Sequence, residues 1–294
     1  MSAPAKLAAF AAALAVLFGG GALAGGAIDP DRNESPAQHA DAATEGSGAH
    51  GASHDAPRQA AHAVRGLAVA ENGLRVIVDD PELERGRVEQ LRFRVLDDRG
   101  DTVRDFDVAH EKRMHLIVAR RDLTGFQHLH PTQAADGSWA TDLKLDEAGS
   151  YRLFADFVRG EEPYTLASDL RVDGQADLQP LPAPAAESVS DGGYDVRLDA
   201  PALRPGKEAE LRFTIVKDGQ AVQTEPYLGA GGHLVALREG DLAFLHVHPT
   251  EHGHPREDAV GFAATFPTAG RYRLFLQFKH EGRVHTVAFT QAVT

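Results

Sequence analysis

The feature that most constrains this chain is that its second half repeats its first. "LRF" at Leu91–Phe93 recurs at Leu211–Phe213. "HLIVARRDLTGFQHLHPT" from His115 recurs as "HLVALREGDLAFLHVHPT" from His233, and "AGSYRLFADF" from Ala148 recurs as "AGRYRLFLQF" from Ala269. The offsets of 120, 118 and 121 residues differ only by small loop changes, so one unit is encoded twice. Two domains are expected, at 64–174 and 187–294, each folding alone. Between them "GQADLQPLPAPAAE" predicts a semi-rigid Pro/Ala-rich linker over 175–186.

Within each copy the hydrophobic pattern has period two. "QLRFRVLD", "YDVRLDA", "ELRFTIV" and "RYRLFLQF" all alternate, and turn signals such as Asp136-Gly137 and Asp218-Gly219 separate them. About seven strands per copy predict an all-β chain of two tandem immunoglobulin-like β-sandwiches. The disulfide typical of that architecture is excluded, because the chain has no cysteine. The same absence removes thiolate metal sites, a cysteine nucleophile and a lipoprotein anchor. A net charge of −13 argues against a nucleic-acid partner, since phosphate binding runs on surplus positive charge.

Upstream of the repeats, Lys6 precedes an uncharged run from Leu7 to Ile28 that contains the small-residue site Ala22-Leu23-Ala24. Residues 1–28 therefore predict a hydrophobic helix, serving as a cleaved signal peptide or a transmembrane anchor. Either function places the repeats outside the cytoplasm, membrane-anchored or secreted, with the membrane touched only through this segment. Residues 29–63 have almost no large apolar side chains and predict a disordered tether, which carries His39, His50, His54 and His62.

Histidine is the unusual component, with 15 copies. His115 begins an apolar strand, the chain turns through "RRDLTG", and it returns as "FQHLHP", where His128 and His130 share one strand face. The second copy repeats this with His233, His246 and His248. A simple hairpin sets His115 opposite His128 and His233 opposite His246, close enough for three imidazoles to hold one ion. Two metal sites are therefore expected, one per repeat. His110 and His285 are candidates for a fourth ligand, each present in one copy only: His110 aligns with Leu228, and His285 with Tyr164. His252 and His254 read as loop residues and His280 as a surface residue. Imidazole-only sites suit Cu(II) first, with Zn or Ni as alternatives. Met114 points away from the His115 face, which argues against a thioether Cu(I) site.

On "MHLIVARRDLTGFQHLHP", "GHLVALREGDLAFLHVHP" and the "AG-x-YRLF" strands, the chain resembles the repeat units of bacterial extracytoplasmic YtkA-like proteins. These are immunoglobulin-like sandwiches grouped with copper-handling, CopC-like envelope proteins. The resemblance covers residues 64–294. It implies copper binding or handling at the envelope through His115, His128, His130, His233, His246 and His248, with an envelope metal-transfer partner and no reaction. The chain departs from CopC-like proteins in lacking their Met cluster and a histidine at the start of the domain.

Two other functions compete. One is a structural or interaction β-sandwich of the envelope with incidental histidines, whose sign would be imidazoles hydrogen-bonded to backbone without a shared centre. The other is a cupin-like metal enzyme, suggested by Glu251 after "HVHP". The strand "RYRLFLQF" lacks the histidine a cupin supplies there, and the first copy has Gln133 in place of the glutamate. No nucleophile elbow, P-loop or dinucleotide fingerprint is present, so a non-enzymatic role is expected.

Overall fold

The computed structural model describes residues 64–245, 247–250 and 259–294. The N-terminal apolar segment, the tether, His246 and the loop with Glu251, His252 and His254 lie outside the described residues. Twenty strand segments and no helix are found among the described residues. In the first repeat these are β1 (Ala70–Glu71), β2 (Leu74–Val78), β3 (Glu82–Leu83), β4 (Val88–Leu96), β5 (His115–Arg120), β6 (Gln127–Leu129), β7 (Thr132–Gln133), β8 (Trp139–Lys144), β9 (Gly149–Arg159) and β10 (Glu162–Val172). The second repeat supplies β11 (Glu187–Val189), β12 (Asp195–Asp199), β13 (Glu208–Lys217), β14 (Gln220–Ala221), β15 (His233–Arg238), β16 (Phe244–Leu245), β17 (His248–Pro249), β18 (Val260–Thr265), β19 (Gly270–His280) and β20 (Arg283–Val293).

Each repeat folds into two facing sheets. Their strand orders are β1-β2-β4-β8-β7 and β3-β10-β9-β5-β6 in the first, and β11-β12-β13-β18-β17 and β16-β15-β19-β20 in the second. The alternation seen in sequence becomes the inward faces: Leu91, Phe93 and Val95 of β4 meet Leu153, Ala155 and Phe157 of β9 in one core. Leu211, Phe213 and Ile215 of β13 meet Leu274, Leu276 and Phe278 of β19 in the other. The "AG-x-YRLF" repeat has a structural reason. The Tyr151 hydroxyl donates to Glu147 O at 2.8 Å and Tyr272 to Thr268 O at 3.0 Å, a tie that resembles the tyrosine corner of immunoglobulin-like sandwiches.

A third core belongs to both repeats. β5 and β15 are apolar on both faces: Leu116 and Val118 point into their own sandwich, while Ile117 and Ala119 point outward. The outward residues pack with Phe154 against Val235, Leu237, Leu242, Phe244 and Phe275 of the second repeat. Phe126 and Phe275 stack with ring centroids 4.1 Å apart. Both repeats thus lie in one compact unit. The chain entering the first repeat is caught in the same seam. Gly66, at φ +68, passes so close to Phe154 and Phe244 that a Cβ there would stand 2.8 Å from each, which leaves room for glycine alone.

The linker is pinned rather than spanning solvent. Buried Arg120 donates to Asp177 O at 3.1 Å, Gln179 N–H donates to Asp122 at 2.8 Å, and Leu181 packs on the shared core.

Candidate metal centre

The hairpin registers differ from the simplest expectation by two residues. Ile117 faces His128 and Leu116 faces Leu129, so position 130 rather than 128 stands opposite His115. In the second repeat Ala236 faces Leu245 and Leu237 faces Phe244. The turn keeps its length but comes one position later in the chain, so that Leu123 (φ 65) and Leu242 (φ 59) lie in the turn in a left-handed conformation instead of on the returning strand. A shift of two keeps the side chains on the same face, so the outward direction of the imidazoles is preserved.

Outward, in both repeats, means toward the other repeat. His115 precedes Ile117 on the outer face of β5, and His233 precedes Val235 on the outer face of β15. The seam therefore sets the histidines of the two copies against each other. His115, His128 and His233 each offer one ring nitrogen, all within 4.8 Å of one another. The His115 and His233 rings lie parallel within 5°, with centroids 5.6 Å apart, and those of His128 and His233 are 4.7 Å apart. Among the described residues the cluster thus reaches across the repeats, from His115 and His128 of the first to His233 of the second.

Hydrogen bonds assign the protons. His115 Nε2 is 3.1 Å from Ala109 O; a carbonyl only accepts, so Nε2 carries the hydrogen and Nδ1 keeps its lone pair. His128 Nδ1 is 2.7 Å from Gln277 Oε1, while the Gln277 amide nitrogen donates to Thr286 Oγ1. With the Gln277 amide in that orientation, His128 Nδ1 donates and Nε2 keeps its lone pair. These two lone-pair nitrogens face each other at 3.0 Å. One proton of a neutral tautomer, or one metal cation, between them satisfies both. Burial, then the neighbouring His115 and His130 rings, push the His128 pKa down to about 3, against weaker opposing pulls from Gln277 and Asp156.

His130 stands beside the trio, its ring 5.1 Å from that of His115 and 4.7 Å from that of His128. Burial first, then His115 and Lys112, lower its pKa to about 4, and its buried Nε2 has no hydrogen-bond partner among the described residues. After His130 the chain crosses between sheets at Pro131. In the second copy the crossing comes earlier, and His248, the equivalent of His130, already pairs with Ala263 on β18. His110 lies at the edge of the cluster, its ring 6.1 Å from that of His115 and 5.9 Å from that of His233.

His285 does not join them. Its register partner is Phe278, on the inward face of β19, whereas Thr286 faces Gln277 on the outer one. It caps the second sandwich instead, 3.3 Å from Asp191 and against the Tyr194 ring. His280 is also engaged there, with Nδ1 2.9 Å from the Tyr194 hydroxyl. Sequence reasoning missed Gln277 and the Ala109 carbonyl, the two groups that orient the His128 and His115 rings. It also missed the pairing of the repeats, although the unbroken apolar runs "HLIVA" and "HLVAL" carried that signal: strands buried on both faces need two partners.

The family model of a domain of unknown function (DUF8832) matches residues 68–174 and again 187–294. No curated protein matches the sequence. Among solved structures, the Escherichia coli adhesin FdeC is 16% identical, with a TM-score of 0.27 over 77% of this chain and 66% of its own. A Salmonella alpha-2-macroglobulin is 14% identical, with a TM-score of 0.28 over 78% of this chain and 15% of its own. Invasin, a bacterial integrin-binding protein, is 15% identical, with a TM-score of 0.23 over 74% and 39%. The chain thus spans two thirds or less of the length of each of these neighbours.

Proposed function

The chain belongs to the DUF8832 family and carries its domain twice, and from that premise we propose a non-enzymatic, extracytoplasmic β-sandwich module that holds one transition-metal ion between its repeats. The carrying observation is the trio His115, His128 and His233, with one ring nitrogen of each within 4.8 Å of the others and His115 Nδ1 and His128 Nε2 3.0 Å apart. That spacing fits one ion bound to both at about 2.0–2.1 Å. The outer nitrogens donate to Ala109 O and Gln277, the arrangement by which metal-binding histidines are usually oriented. The partnerless Nε2 of His130 supplies a fourth imidazole. With nitrogen donors alone, Cu(II) is the first candidate and Zn or Ni follow. Delivery to or from an envelope partner is the corresponding role.

A second reading, a structural or interaction module of the envelope, is favoured by the apolar seam and by the His115 bond to a backbone carbonyl. The two readings part in one experiment. The full chain, with His39, His50, His54 and His62 replaced by alanine to silence the tether, is dialysed against Cu(II), Zn and Ni. One ion per chain is expected, lost on replacing either His115 or His233 by alanine. Metal binding that is absent, or indifferent to His115, His128 and His233 together in a folded protein, removes the metal centre and leaves the structural module.

A further inference from the structure

A cavity of about 380 Å³ lies between the repeats, lined among others by Ala109, His110, His115, Asp156 and His248. His115 is the ligand of the proposed centre that also forms its wall. Next to it the chain makes a tight turn in which Ala109 and Lys112 bond to each other through their backbones. Both central residues, His110 at φ 48 and Glu111 at φ 65, are left-handed. Such turns favour Asn and Gly, and non-glycine residues held this way gather at functional sites. The second repeat builds the same turn between Tyr227 and Ala230, with Leu228 and Gly229 left-handed. There the position of His110 is taken by a buried leucine.

The turn on the first repeat has two consequences. It presents the Ala109 carbonyl that orients His115, and it places the His110 ring beside both His115 and His233. Two imidazoles that share an ion bound at about 2.0–2.1 Å can have ring centroids up to about 6.3 Å apart. His110 stands near that limit, farther out than His130. The cavity's charged lining consists of Arg65 and Lys112 against Asp156 and Glu161, so the formal charges cancel and no anionic trap holds a cation on its way in.

We propose that this cavity is the port through which the ion reaches the centre, and that His110 is an acquiring ligand that meets the ion there and passes it to His115 and His233. This rests on the metal centre proposed above. A group that binds only in transit speeds entry and exit alike and leaves the equilibrium unchanged.

The test is stopped-flow uptake of Cu(II) by the full chain with the four tether histidines replaced, and its release to a chelator. The variant is His110→Asn, because asparagine tolerates the left-handed turn while removing the imidazole. Uptake and release should both slow by about tenfold with the dissociation constant unchanged. A second variant, Val158→Trp, fills the cavity from its wall and should slow both rates without touching an imidazole. Unchanged rates in both variants overturn the port. A weakened dissociation constant in His110→Asn, with one nitrogen fewer in the Cu(II) paramagnetic resonance spectrum, makes His110 a resident ligand and also overturns it. A parent chain that takes up no metal removes the centre itself, an outcome distinct from either.

Discussion

His128 shows what the seam does to a single side chain. In the unfolded chain it and His130 titrate near the ordinary histidine value of about 6.5. In the fold, burial and neighbouring imidazoles hold them at about 3 and about 4. Between those values the unfolded state carries more protons, so stability rises with pH and is lost as pH falls from about 6.5 toward 4. The loss for the metal-free chain should reach the order of a few kcal/mol. Thermal melts in chelator should show Tm falling steadily over that window, with a shallower fall in His128→Asn. A Tm that is flat from neutral pH to pH 4 would show that these imidazoles are not desolvated as described. The alternation of "QHLH" was enough to put both rings on one face, whereas the burial that leads the lowering of their pKa values exists only in the packed fold.

At the scale of elements, the turn after β5 joins hairpin, linker and seam. Arg120 and Asp122 are 3% and 5% exposed and pair at 2.7 Å. Burial opposes the Asp122 charge, but the Arg120 guanidinium, Gln179 N–H and Thr124 outweigh it and bring its pKa down to about 2. Asp122→Ala would leave a buried guanidinium without its partner and release the linker at Gln179, at a cost of about 3–5 kcal/mol. Urea unfolding of the full chain should show this as a lower midpoint. A change below about 1 kcal/mol would mean that solvent reaches Arg120. The second repeat keeps the motif as Arg238 and Asp241. "RRD" and "REGD" read as turns and fold as turns, and the Pro/Ala-rich linker supplies partners to the first of them.

For the whole molecule, the decisive surface is the one between the repeats. Phe275 is 4% exposed and stacks on Phe126 across the seam. Phe275→Asp would bury a carboxylate among Ile117, Phe154 and Val235, costing more than the roughly 3–5 kcal/mol of a plain Phe truncation. Each repeat retains its own core, so calorimetry should change from one cooperative transition to two. Cu(II) binding should weaken in the same variant, because His233 is carried by the second repeat and His115 and His128 by the first. A variant that still melts in one step and binds as the parent does would show that the repeats are held together by something other than this seam.

The period-two pattern, the turn residues and the duplication determined the strands, the all-β class and two similar sandwiches, because inward alternation is a local property of each strand. The same pattern determined that the imidazoles of "MHLIVA" and "FQHLHP" share a face. Which histidines meet was decided only by the tertiary structure. Alternation says that His115 and His233 point out of their sandwiches, but not what lies outside, and here each points at the other copy. Gln277 has no motif that would mark it, since it becomes an acceptor for His128 only when residues 149 positions apart pack face to face. Contacts across a seam depend on the complementarity of two finished surfaces, and neither surface exists until both repeats have folded.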